Sequence, residues 1–223
     1  MDIYNVIVRF FQSGGPFMYP IALVLVLGVA IAVERWLVLT AAKVANRRAF
    51  DEVLPLLRKG DYAGLVKKAN SSKVAVFRIV GAGVARMAQG SRREEVEYAM
   101  EEGVMEAVPR LEKRTAYLAT LANIATLLGL LGTIIGLIAA FTAVANAAPA
   151  EKASMLSSSI SVAMNTTAFG LISAIPLLGL HALLQTKTTE IVDSFEMIGV
   201  KVLNALAANN NKMNKTRVED KAG

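Results

Sequence analysis

Residues 115–150 read TAYLATLANIATLLGLLGTIIGLIAAFTAVANAAPA, a run of 36 residues without one Asp, Glu, Lys or Arg. A membrane-spanning helix needs about 20 mostly apolar residues. Two further runs lack charge: 24 residues between Arg9 and Glu34, and 34 between Lys152 and Lys187. Each has room for one span. The composition agrees. Of 223 residues, 54% are hydrophobic and 19% charged, against about 45–50% and about 25% in a soluble domain. This balance argues against a soluble enzyme and excludes a disordered chain, which would be rich in charge and poor in apolar residues. Cysteine is absent and histidine occurs once. That removes disulfides, Cys-ligated zinc, iron–sulfur clusters, thiol nucleophiles, clustered-His metal sites and most His-based triads.

The first span reads as 18–39, after an N-terminal arm over 1–17 that ends in the breaker Gly14-Gly15-Pro16. It is not a signal peptide: the apolar run is too long, no basic segment leads into it, and no small-x-small cleavage site follows. The second span occupies 116–148 and the third 153–186, joined by a tip over 149–152 that makes them an antiparallel hairpin. The charge-free runs amount to about 54 Å and 51 Å of helix, more than the roughly 30 Å hydrocarbon core, so the helices should extend beyond the bilayer. Basic residues set the orientation. Segment 40–115 carries 15 Lys/Arg, and the stretch 187–223 carries six, whereas the arm has only Arg9 and the tip only Lys152. The expectation is an all-α integral membrane protein with three transmembrane helices, N-out and C-in, and long helices projecting into the cytoplasm. The net charge of +6 is then mostly positive-inside bias. No basic run is interleaved with aromatics, so nucleic acid is not an expected partner.

The cytoplasmic region 40–115 reads as helical, broken at Gly60-Asp61, Asn70-Ser71-Ser72 and Gln89-Gly90. Ser91-x-x-Glu94 fits a capping box. Nothing further stops the helix that follows, which is expected to run roughly 55 residues (about 80 Å) into the second span with a kink at Pro109. Beyond the third span, Ile191, Phe195, Ile198, Val202 and Leu206 recur at helical spacing, giving a cytoplasmic helix over 187–207. The end, 208–223, is polar and reads as disordered.

Inside the bilayer the hairpin is rich in small and hydroxyl residues. Gly132-x-x-x-Gly136 permits close helix contact. Gly129, Thr133, Gly136 and Ala140 line one face of the second span. Ala163, Thr167, Gly170 and Ala174 repeat the same offsets on the third. In an antiparallel hairpin, residues equidistant from the tip share a depth. Thr133 and Thr167 each lie 17 residues from Ala150, about 25 Å along the helix. One threonine alone more often bonds its own helix carbonyl; Thr133, Thr166 and Thr167 together, beside small-residue stripes, read as a polar lumen or site. No ionisable group lies in the membrane core. Threonine does not titrate near neutral pH, so a proton relay here needs a carboxylate from a partner. His181, near the cytoplasmic end of the third span, reads as interfacial, and Glu34-Arg35 as a neighbouring pair at the interface.

These residues resemble the ExbB/TolQ/MotA family of ion-driven motor subunits, most closely the ExbB/TolQ branch. The matches are Gly14–Pro20 (GGPFMYP) with Glu34-Arg35, Leu127–Gly136 (LLGLLGTIIG) with Phe141, and Thr167–Pro176 (TAFGLISAIP). The resemblance covers 14 to about 200. It implies a multi-pass protein of the bacterial inner membrane. It implies a homopentamer, in contact with membrane lipid, around an ExbD/TolR-like dimer of single-span chains in the central pore. The partner carries the essential Asp, and ion flow past it drives rotation that transmits force across the periplasm. Thr133 and Thr167 match the family threonines that face that Asp, and Pro176 matches the family proline. Gly129, Gly132, Gly136 and Gly170 are the helix-packing positions.

Two departures stand out. The branch commonly has Glu five residues before the third-span threonine, where this chain has Val162. The residue before that threonine is usually Ala and here is Thr166, a Thr-Thr pair that resembles the sodium-driven flagellar stators. Hydroxyl and carbonyl oxygens are hard ligands that suit a hard cation. H+ and Na+ both stand, with Na+ at Thr133, Thr166 and Thr167 slightly favoured. No cofactor beyond the transported ion and no catalytic residue is expected; the chain is not read as an enzyme. The alternatives are a passive helical membrane scaffold and a flagellar-stator-like subunit, the latter weakened because that branch usually has a fourth span.

Overall fold

The computed structural model describes residues 10–11 and 14–222, with side chains placed through 208 except at 12–13 and 146. The helices bounded within it are α1 (Met18–Lys59), α2 (Tyr62–Ser71), α3 (Ala75–Ala88), α4 (Arg93–Glu112), α5 (Ala116–Asn146) and α6 (Lys152–Ala222). No strand occurs among the described residues. Three stretches are long and apolar enough to cross a membrane: one in α1, one in the α4–α5 run and one in α6. The protein is therefore an all-α membrane protein. The expected disordered tail over 208–223 falls almost wholly outside the residues with described side chains.

The chain divides into two units, and α1 and α6 each contribute to both. The first comprises 1–35 and 114–184. Its buried residues include Met18, Ile21, Ala122, Ala125, Ala140, Ala163, Ala174 and Leu177. Alanine dominates because the contacts are between helix backbones brought close together. Leu127, Ile134, Ile138, Met164, Ile172 and Ile175 point outward. Outward apolar side chains are what a span facing lipid or a partner helix presents.

The second unit comprises 36–113 and 185–223. Its buried residues are larger: Leu39, Val53, Leu57, Ile79, Val80, Met100, Ile191, Phe195, Ile198, Val202 and Leu206. The helical repeat from Ile191 to Leu206 thus faces inward. Gly60, in the left-handed region at φ 72°, ends α1. Asp61 then caps α2 by accepting a bond from the Gly64 N–H at 2.9 Å. Lys43 donates to Glu190 at 2.6 Å, and Lys187 lies 3.9 Å from the centroid of the Trp36 ring. The Lys43 hydrogen bond and charge hold the Glu190 carboxyl below the usual carboxylate range.

Two expectations are corrected. The helix from 93 does not run unbroken into the second span. It stops at Glu112, and Arg114 takes a left-handed conformation, φ 66°, before α5 starts at Ala116. Such a conformation costs a non-glycine residue about 1–2 kcal/mol. The Arg114 guanidinium donates to both carboxylate oxygens of Glu34 at 2.8 and 2.9 Å. Glu34, the neighbour of Arg35, thus also takes Arg114 as a partner. Finally, the capping box does not form. Arg92 is the N-cap of α4 with no side-chain cap bond, while the Ser91 N–H turns back to the Arg86 carbonyl.

Candidate functional site

The hairpin of α5 and α6 closes on glycine. A methyl added at Gly170 would lie 2.7 Å from the Ala125 carbonyl oxygen and 3.0 Å from Gly129 Cα. One added at Gly129 would lie 3.2 Å from Thr167 Cα and 3.3 Å from Gly170 Cα. A methyl at Gly136 would meet Ala163 Cβ at 3.0 Å. The two backbones therefore touch along the stripes Gly129–Gly136 and Ala163–Gly170. Pro176 sits inside α6 without ending it.

This close approach brings Thr133 and Thr167 together. Their Oγ1 atoms are hydrogen-bonded to each other. Thr133 Oγ1 also lies 3.3 Å from the Gly129 carbonyl and 3.2 Å from the Ala163 carbonyl, and Thr167 Oγ1 lies 2.9 Å from the Gly129 carbonyl. Two hydroxyl protons are thus shared among these acceptors. The result is a cluster of four oxygens, two hydroxyl and two carbonyl. Both threonines are half-buried, so the cluster opens on one side. Back-bonding to the helix and pairing across the hairpin occur at once.

Thr166 does not join the cluster. Its side chain is buried, with 2% exposure. Its hydroxyl donates to the Gly14 carbonyl at 2.6 Å, with the Val162 carbonyl at 2.9 Å. Successive helix residues lie about 100° apart, so Thr166 and Thr167 address different neighbours. Of the three threonines that the sequence reading grouped, the structure brings Thr133 and Thr167 together and turns Thr166 to the Gly14 carbonyl. The spacing alone carried the signal: only one of two adjacent residues can face Thr133. The Gly14 carbonyl was not foreseen, since it contributes only backbone.

Among the described residues no group of three or more His, Cys, Asp and Glu side chains converges on a metal position. What the cluster offers chemically is neutral oxygen at the interface of two apolar helices, able to receive or pass on a hydrogen bond or to solvate a hard cation in part.

Comparison with curated proteins gives no match. A family model for the MotA/TolQ/ExbB proton channel family matches residues 71–197, more than half of the chain. The match spans α3, α4 and α5 and enters α6, taking in Thr133, Thr166 and Thr167. It does not separate the ExbB/TolQ branch from the MotA branch. On the extent of that match and the three spans, the chain belongs to the MotA/TolQ/ExbB proton channel family.

Proposed function

We propose that this chain is an ExbB/TolQ-like motor subunit of the bacterial inner membrane. It works as a homopentamer around single-span ExbD/TolR-like partners and couples inward H+ or Na+ flow to mechanical work on periplasmic or outer-membrane targets. The N-terminus lies outside, and segments 40–115 and 187–223, with 15 and six Lys/Arg, lie in the cytoplasm. The observation that carries this reading is the Thr133–Thr167 pair. It is half-exposed within a hairpin whose 36- and 34-residue runs hold no Asp, Glu, Lys or Arg. A scaffold has no need of hydroxyls matched in depth and open on one side. An ion path that borrows its carboxylate from a partner does.

The test is co-expression with a single-span chain bearing one intramembrane Asp. It is followed by native mass in detergent and ion flux in proteoliposomes. Five copies with two partners are expected, with measurable flux. Thr133→Val, nearly isosteric, should leave that mass unchanged and abolish flux. A monomer or dimer in the partner's presence, or undiminished flux in the assembled variant, would overturn the proposal.

A further inference from the structure

We propose that Thr166 is a positioning residue. Its hydroxyl fastens the N-terminal arm to α6 and thereby holds Thr167, the next residue, against Thr133. The inference rests on reading the Thr133–Thr167 pair as the ion path. It assigns Thr166 a role different from that of an ion ligand.

The contact is built from both sides. The Thr166 hydroxyl reaches a carbonyl 152 positions away in sequence, at 2.6 Å, and both Thr166 and Gly14 are buried. Gly15 follows at φ 73°, and a methyl there would stand 3.1 Å from Val162 Cγ1. The turn can therefore lie flat on α6 only with glycine at this position. Across from it, a methyl added at Gly132 would collide with the Thr166 methyl and lie 3.3 Å from Phe17 Cβ. The Phe11 ring meets Phe169 edge-on at 5.0 Å, and Phe10 meets it at 6.1 Å. Val162, Thr166 and Phe169 stand at i, i+4 and i+7, one face of a helix. The described arm residues Phe10, Phe11, Gly14 and Gly15 therefore meet one face of α6 with an aromatic contact, a hydrogen bond and a close backbone approach.

The adjacent face carries Ala163, Thr167 and Gly170 against α5. Two grips at one level, about 100° apart, fix the rotation of α6 about its axis. In lipid this matters more than in water, because turning a helix exchanges one apolar environment for another and meets little hydrophobic resistance. Without the arm's grip, rotation of α6 would carry Thr167 off Thr133. The buried Thr166 hydroxyl, committed to Gly14 and Val162, is not placed to meet an ion at the open side of the pair.

The chain has no cysteine, so cysteines at exposed Tyr19 and Met164 can carry spin labels without background in the assembled complex. Thr166→Val removes the donor at nearly constant volume, and Thr166→Ser keeps it. Gly15→Ala loosens the turn without touching Thr166 and serves if T166V does not assemble. T166V and G15A are expected to broaden the 19–164 distance distribution. They should also lower flux by about 3- to 18-fold, the span that corresponds to one membrane hydrogen bond. The Na+ and pH dependence of the remaining flux should be unchanged, and T166S should restore both readouts. An unchanged distribution in T166V, failure of T166S to rescue, or a switch in ion dependence would overturn the proposal, the last by making Thr166 a ligand. Undiminished flux in Thr133→Val would instead remove the ion-path reading, while the distance distribution would still report on the rotation of α6 against the start of α1.

Discussion

Replacing Gly170 with alanine tests whether the backbone contact of α5 and α6 holds the hydroxyl pair together. The new methyl would sit 2.7 Å from the Ala125 carbonyl oxygen, 3.0 Å from Gly129 Cα and 3.4 Å from Gly129 N. These are backbone atoms of a helix and cannot swing aside as a side chain would. A carbon–oxygen contact relaxes at about 3.3 Å, so the helices must part locally by about 0.6 Å. The same displacement would stretch Thr167–Gly129, now 2.9 Å, and Thr133–Ala163, now 3.2 Å, to about 3.5 and 3.8 Å, beyond useful hydrogen-bond range. Overpacking of this kind costs about 1–3 kcal/mol, and the gain from replacing glycine, about 0.4–1 kcal/mol, offsets part of it. The expected net loss is about 1–2 kcal/mol, or a fall of about 2–8 °C in the unfolding midpoint at this chain length. Ion flux should fall with it.

Gly179→Ala is the control. It lies on the same helix, and an added methyl there meets nothing within 4 Å. It should be neutral or raise stability by about 0.4–1 kcal/mol. Thermal unfolding in detergent and flux in proteoliposomes read both variants. The reasoning is refuted if G170A unfolds at the wild-type temperature with full flux. It is equally refuted if G179A is the more damaging change.

Three further outcomes are expected. The Ser173 hydroxyl is buried and has no hydrogen-bond partner in the structure, so Ser173→Ala should raise the unfolding midpoint by about 2–4 °C, as about 1 kcal/mol does at this length; a fall would mean that the hydroxyl is in use. Arg114→Gly should be more stable than Arg114→Ala by about 1–2 kcal/mol in thermal unfolding, because both lose the exposed Glu34 pair but only alanine keeps the strained left-handed backbone; equal stabilities would sink the strain argument. Glu190 is held below its ordinary pKa by Lys43, so its contribution is present above the unfolded carboxylate range and is lost as pH falls through the depressed folded value. Unfolding midpoints measured against pH should show that acid loss in the native chain and a smaller one in Glu190→Gln, and 1 M salt should shrink the difference.

What could be read from the sequence was whatever a local rule governs. Three charge-free runs marked the three spans, since a charge is expensive in hydrocarbon and cheap outside it. Gly60-Asp61 marked its own turn by the φ glycine tolerates and the bond Asp offers. The Thr133–Thr167 contact followed from counting outward from a tight tip, because an antiparallel hairpin leaves little freedom in depth. What could not be read came from distant residues. Nothing near Arg114 says that it will adopt a glycine-like backbone or that its partner will be Glu34, 80 positions earlier. Ser91 carries the right spacing for a capping box, but its backbone is already engaged with Arg86. For Thr166 a bare carbonyl of the arm decides the environment, and carbonyls leave no trace in composition.

The pair that remains once Thr166 is set aside bears on the choice of ion. Four neutral oxygens lie between two apolar helices. For a proton, neither hydroxyl titrates near neutral pH, so the pair can relay a hydrogen bond but cannot hold the charge. For sodium, the oxygens replace part of a hydration shell, yet an isolated charge in a medium of low dielectric still carries a large desolvation cost. In both cases the missing element is a negative charge beside the pair, and residues 115–150 and 153–186 contain no Asp or Glu to supply it. On the proposed ion path, that charge comes from outside the hairpin whichever ion is carried. On that proposal, choosing between the ions falls to the outside charge and to the separation of Thr133 from Thr167, which the glycine contact sets directly.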